Sequence, residues 1–261
     1  MTEKEKGLRV FDKYTALYDI DNVMIRLKVD HTFRVADFAE RIAQSLKMDE
    51  GDVLFAWLTG LLHDIGRFEQ YKRYETFVDR ESVDHAELGA DILFKDGLID
   101  EFSLDILKDD DRRQLLEHAI RQHNKLVLPE GMDARNRRFC EILRDADKVD
   151  IFRVLTEPPY DKRNSGIKYQ TDDAGAREEI MECVRNHTCV PRVGSRTDFE
   201  ALISQCCMAF ELVYPESRKL VKEQGYLGIL LNTKVANPKM EQQIRFLQKE
   251  LAYKEILKNV E

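Results

Sequence analysis

His63 and Asp64 place an imidazole and a carboxylate side by side, at the end of the apolar run Phe55 to Leu62. Two such groups are costly to bury unless something pairs them. A divalent metal ion does so, because imidazole suits Zn, Fe and Ni while carboxylate also suits Mg and Mn. A His-Asp dipeptide alone is weak grounds for a site, so other ligands must come from similar positions. Helical spacing supplies the test, since residues three, four and seven apart share a face. His63 shares its face with the small residues Ala56, Thr59 and Gly60. His31 lies on the stripe of Val35 and Phe38, and His85 on that of Leu88, Gly89 and Ile92. His123 lies on that of Leu116, Ala119 and Ile120. All four are expected to face inward. His118, among Gln114, Arg121 and Gln122, leans toward solvent, and His187 lies outside any strong pattern.

An acidic partner is expected from RDADKVD, residues 144–150. Asp147 stands four residues after Leu143 and four before Ile151, on the apolar stripe of its helix. Asp145, near Glu141 and Lys148, is expected to point outward, and Asp150 is a second candidate.

The elements that must position these side chains read as helices almost throughout. Val10, Phe11, Tyr14, Leu17 and Tyr18 mark a first amphipathic helix. Asp30 is expected to cap a helix carrying Phe33, Val35, Phe38 and Ile42, with His31 at its start. Asp49 is expected to cap the helix that leads to His63. Glu69 to Val83 reads as a polar, aromatic and basic loop beside the site. Further helices are expected at about 84–94, 111–124 and 134–155, the last stopped by Pro158-Pro159. Tyr160 to Ala174 reads as a second loop. The remainder gives about four more helices, including Phe199 to Tyr214 and Lys239 to Leu257.

Bulk composition agrees with an all-α, soluble protein. The 261 residues include 12 Gly and 6 Pro, few for an all-β chain. Hydrophobic residues at 43% and charged residues at 34% fit an ordinary globular protein. A net charge of −8 argues against a broad nucleic-acid footprint. No apolar run approaches the roughly 18 residues that cross a bilayer. Five cysteines without a CxxC pair suit reduced thiols and a cytoplasmic location.

The ordered set His31, His63-Asp64 and Asp147, with LLHDIGRF and RDADKVD around it, resembles the H…HD…D signature of the HD superfamily of metal-dependent phosphohydrolases. The resemblance spans about residues 24–155. It implies an all-α helical bundle for residues 1–160, with residues 161–261 as a C-terminal helical extension packed on it. His85 in DHAELGADIL and His123 in AIRQHN resemble the extra histidines of dinuclear members such as cyclic-dinucleotide phosphodiesterases. By that resemblance His31, His63, Asp64 and Asp147 hold one ion, His85 and His123 hold a second, and Asp64 bridges. The cofactor implied is one or two divalent ions: Mn, Mg, Fe, Ni, Co or Zn. Arg67 stands where those phosphodiesterases carry Lys, and their GYP signature is replaced by HNKLVLPEGM.

The implied reaction is hydrolysis of a phosphomonoester or phosphodiester, of a nucleotide or nucleotide-like metabolite. Divalent ions activate water near neutral pH and hold phosphoryl oxygens. Asp64 and Arg67 are the expected catalytic residues. Arg67 suits either a nonbridging phosphate oxygen or a structural ion pair with an acid. Lys72, Arg73 and Arg80 are candidates for a second phosphate, and Tyr71, Tyr74 and Phe77 for a base. Two alternatives use the same ligands: a di-iron oxygenase like myo-inositol oxygenase, and a non-catalytic nucleotide-binding scaffold. The C-terminal helix, with acid–base pairs at i, i+4, suits a solvated face or a homo-oligomer contact.

Overall fold

Asn22 opens the helix that carries the first histidine. Its side chain accepts the N–H of Met24 at 2.9 Å. No Gly or Pro interrupts the chain from Val23 to Ser45. The computed structural model describes residues 1–157, 175–191, 196–235 and 237–257, and no strand occurs among them. The protein is all-α. Its first compact unit, Met1–Asp147, contains α1 (Glu3–Thr15), α2 (Val23–Ser45), α3 (Glu50–Leu62), α4 (Ile65–Tyr74), α5 (His85–Ala90), α6 (Leu98–Glu101) and α7 (Asp110–Gln122). α8 (Ala134–Val154) begins in this unit and continues into the second.

Two expectations about elements are corrected. His31 does not start a helix: it lies mid-way along α2, and Asp30 is an exposed interior residue. An exposed carboxylate breaks no helix, and the cap already exists eight residues earlier at Asn22. The segment read as a loop from Glu69 is helical as far as Tyr74, where Glu75 ends α4 in a left-handed conformation (φ 52°). Asp49 caps α3 as expected, accepting the N–H of Asp52 at 2.9 Å.

Two glycine contacts set how closely the helices approach. α2 and α3 make the most extensive helix pairing. A Cβ on Gly60 would stand 2.7 Å from Ala36 Cα, so only glycine admits α2 at this distance. A Cβ on Gly66 would fall on the carbonyl of His85 and stand 2.6 Å from Gly89 N, which fixes α4 against α5 in the same way. After α5 the chain makes one π-helical turn, Asp91–Lys95. Aromatic edge-to-face packing fills the interior, as between Phe55 and Phe139 at 4.9 Å.

The second compact unit, Lys148–Glu261, holds the end of α8 with α9 (Glu178–Arg185), α10 (Asp198–Cys207), α11 (Pro215–Gln224), α12 (Tyr226–Leu231) and α13 (Pro238–Tyr253). A capping box between Thr197 and Glu200 opens α10. The division between units falls inside α8. Pro158-Pro159, the boundary expected near residue 160 and the loop Tyr160 to Ala174 lie outside the described residues. All five cysteines are free thiols. No helix among the described residues is long and apolar enough to cross a membrane.

Candidate metal centre

The chain passes from α3 to α4 at His63-Asp64. His63 is the C-cap of α3 and Asp64 the N-cap of α4. Asp64 makes no side-chain capping bond, so its carboxylate points into the interior instead of satisfying its own helix. There it meets four histidines. Its Oδ2 stands 3.6 Å from both His31 Nε2 and His63 Nε2. Its Oδ1 stands 3.5 Å from His85 Nε2 and 3.8 Å from His123 Nε2. Asp147 Oδ1, from α8, lies 3.2 Å from His31 Nε2 and 3.8 Å from His63 Nε2. The six sequence candidates are thus brought together, and one carboxylate oxygen of Asp64 faces each half.

The ring orientations follow from what each Nδ1 meets. His63 Nδ1 is 2.7 Å from the carbonyl of Gly60, and His123 Nδ1 is 2.7 Å from that of Ile120. A carbonyl only accepts, so both Nδ1 atoms donate. His85 Nδ1 donates to the carboxylate of Asp79 at 2.7 Å. In each neutral ring Nε2 is therefore the lone-pair nitrogen. Two of these, on His85 and His123, face each other at 3.0 Å. That of His63 has no hydrogen-bond partner among the described residues. Lone pairs gathered in this way leave a cation as the missing partner. Ligands bound at about 2.1 Å stand roughly 3.0–3.5 Å apart, close to the separations found here. The donor set of nitrogen and carboxylate oxygen fits a divalent ion, in either or both of the groups His31, His63, Asp64 and Asp64, His85, His123.

Burial sets the protonation states. Desolvation holds His63 down to about 4 and His85 to about 3, the latter helped by the charge of Arg67. His123 is lowered for the same first reason. Burial works the other way on Asp64, yet Lys28, His63 and Arg67 hold its carboxyl well below the usual range. Asp147 is likewise low despite burial, through His31 and His63. Neutral imidazoles beside ionised carboxylates are the states a metal requires.

Several supporting residues escaped the sequence argument. Asp79 orients His85 and receives Arg67 Nη1 at 2.9 Å and Gln70 Nε2 at 3.0 Å. Gln70 is fully buried and also donates to Ser82 Oγ and the Val83 carbonyl. Arg144, one turn before Asp147, donates to the carbonyls of Gln122, His123, Lys125 and Leu126, closing the end of α7 that presents His123. Lys28 Nζ donates to Asp64 Oδ2 at 2.7 Å. Lys28 sits three residues before His31, so the stripe test applied to lysines would have found it. Asp79 carried no signal, because only the fold of residues 75–83 returns it to the site.

Other candidates are placed elsewhere. Lys72 Nζ lies over the ring of Tyr18, and Arg73 Nε pairs with Glu69 at 2.6 Å, so neither contacts the histidines. Arg80 is exposed, with Glu81 at 3.6 Å. Phe77 is buried and packs on Tyr71 at 4.9 Å, which leaves Tyr74 as the exposed aromatic of the three. Asp145 is buried, not outward: with Asp147 toward the histidines, the broad interior face of α8 still includes its neighbour. Asp150 is buried and chelated by Arg153 at 2.9 and 2.8 Å, which removes it from the ligand choice. His118 is half-buried, its Nε2 closed off from solvent. His187 follows α9 and pairs with Glu250 at 2.6 Å.

The unit is all-helical and gathers four histidine nitrogens and the carboxylate of Asp147 around Asp64, an arrangement able to hold a metal ion. Residues 29–151 match the family model of the HD domain, the superfamily that the sequence resembles. No curated protein and no solved structure matched the chain.

Proposed function

We propose that the protein is a divalent-metal-dependent hydrolase of phosphate esters, and that nucleotides or nucleotide-like metabolites are its substrate class. The observation that carries the proposal is the pair of Nε2 atoms on His85 and His123, 3.0 Å apart with both Nδ1 atoms already committed. A purely structural core would place a donor between two such acceptors. In this reading His31, His63, Asp64 and Asp147 would hold one ion, and Asp64, His85 and His123 would hold another. Such ions would supply Lewis acidity toward phosphoryl oxygens and lower the pKa of a bound water.

The chain's own contribution is orientation and exclusion of water. The histidines are each no more than 5% exposed. Arg67 is anchored through Nη1 to Gln70, the Phe77 carbonyl and Asp79. Its Nε, 3.6 Å from Asp64 Oδ1, makes no hydrogen bond among the described residues. That edge is oriented to meet a phosphate oxygen while the other edge holds the residue still.

The test is metal analysis of protein purified without added metal, followed by a panel of phosphomonoesters and phosphodiesters. Phosphate release dependent on Mn, Mg, Co or Ni is expected. Asp64→Asn, which leaves one good ligand oxygen, is expected to lower turnover by at least about a hundredfold. Wild-type turnover in that variant refutes the mechanism. Iron with oxygen consumption and no phosphate release would replace hydrolysis with oxygenation.

A further inference from the structure

We propose that Lys28 binds the phosphoryl group of the substrate on the His31 and His63 side of the centre, with Phe77 positioning its ammonium. The inference rests on the metal-dependent reading given under Proposed function.

Three observations carry it. The first is access. Around a cluster whose histidine side chains are 0–4% exposed, the partly open members are Asp79 at 24%, Asp147 at 16%, Arg67 at 15% and Lys28 at 11%. A substrate that reaches the centre passes these side chains, and the cations among them are Arg67 and Lys28.

The second is charge. Lys28 Nζ lies 2.7 Å from Asp64 Oδ2, the oxygen that faces His31 and His63. Without a metal, this ammonium balances the buried carboxylate. One divalent ion balances both Asp64 and Asp147, and Arg67 is already paired with Asp79 at 2.9 Å. The charge of Lys28 is then left over beside a desolvated site, where an unpaired charge is costly. A phosphoryl anion completes the balance.

The third is positioning. Phe77 places its ring 5.4 Å from Lys28 Nζ and 5.8 Å from Arg67 Cζ, while its carbonyl accepts from Arg67 Nη1. One residue therefore sets both cations, one beside each oxygen of Asp64. A lysine is a compact charge on a flexible stem, so the ammonium can turn from Asp64 to a phosphoryl oxygen without a change in α2.

A role in supporting the metal shell predicts the opposite behaviour toward metal. A cation beside the ligands repels the incoming ion, so its removal leaves metal affinity unchanged or tightens it. Loss of a shell support weakens metal binding. The experiment is calorimetric titration of the full-length metal-free protein with Mn²⁺, then of the Mn-loaded protein with orthophosphate. Lys28→Met is expected to bind Mn²⁺ at least as tightly as wild type and orthophosphate about tenfold or more weakly. Lys28→Arg is expected to restore most of the phosphate affinity. Lys28→Gln, which keeps a donor for Asp64, is measured alongside, so a methionine variant that fails to fold leaves the comparison intact.

Phosphate affinity within about threefold of wild type in the neutral variants overturns the inference, as does weakened Mn²⁺ binding. If wild type binds Mn²⁺ and orthophosphate and the variants do not differ, Lys28 alone was misassigned. If wild type binds no metal, the function beneath it fails as well.

Discussion

His63 and His85 are held near 4 and 3, so they stay neutral in the folded protein well below the pH at which free histidine charges. An unfolded chain takes up protons on both rings from about pH 6.5 downward. Between that value and the folded ones the unfolded state binds more protons, so unfolding becomes easier as pH falls. The stability these rings allow is complete above pH 6.5 and is lost progressively toward 4 and then 3. The metal-free protein is expected to show a melting temperature that declines steadily from pH 7 to pH 4. Saturating Mn²⁺ should move that decline to lower pH by mass action. A melting temperature independent of pH over this range contradicts the buried neutral rings. At this scale the sequence was most informative where a residue sits on a helix, because a face can be counted. His31, His63, His85, His123 and Asp147 were found that way. Asp79 and Gln70 were not: Asp79 lies outside the α-helices, where there is no period to count, and the partners of Gln70 lie nine to thirteen residues further on.

The helices were legible from hydrophobic spacing, but their closeness was not. Gly60 and Gly89 stood out as small neighbours of ligands; the structure adds that α3 meets α2 backbone at Gly60, and that Gly66 meets Gly89. Gly66→Ala would drive a methyl into the His85 carbonyl, where backbone cannot yield as a side chain does. The expected cost is about 1–3 kcal/mol in a denaturant titration, with reduced metal content at the His85 side. A variant within about 0.5 kcal/mol of wild type and fully metallated would show that α4 and α5 can separate harmlessly. The start of α2 was misplaced because a polar residue before an apolar stripe resembles a cap, and the real cap, Asn22, stands eight residues before Asp30. The part of α4 from Glu69 was read as loop because Gln70, Lys72 and Arg73 look solvated. Gln70 is instead turned inward and satisfied by residues 79–83.

α8 runs through the division of the molecule into two compact units, and Asp147 is the last residue of the first. Within an α-helix the carbonyl of Asp147 accepts from the N–H four residues on, at Ile151. Ile151→Pro removes that donor and crowds the Asp147 carbonyl, at an expected cost of about 3 kcal/mol or more. Mn²⁺ affinity should fall with it, whereas Ile151→Ala should keep the metal. Equal metal binding in both variants, by calorimetry on the full-length protein, would show that Asp147 does not depend on the helix continuing. The same arrangement bears on inheritance. A recombination event between the codons for Asp147 and Lys148 would deliver a compact unit whose last ligand dangles from a fraying end. The portion that can be passed on with its chemistry is therefore longer than the portion that packs together, by at least one helical turn. The family match ends at Ile151, which is that turn.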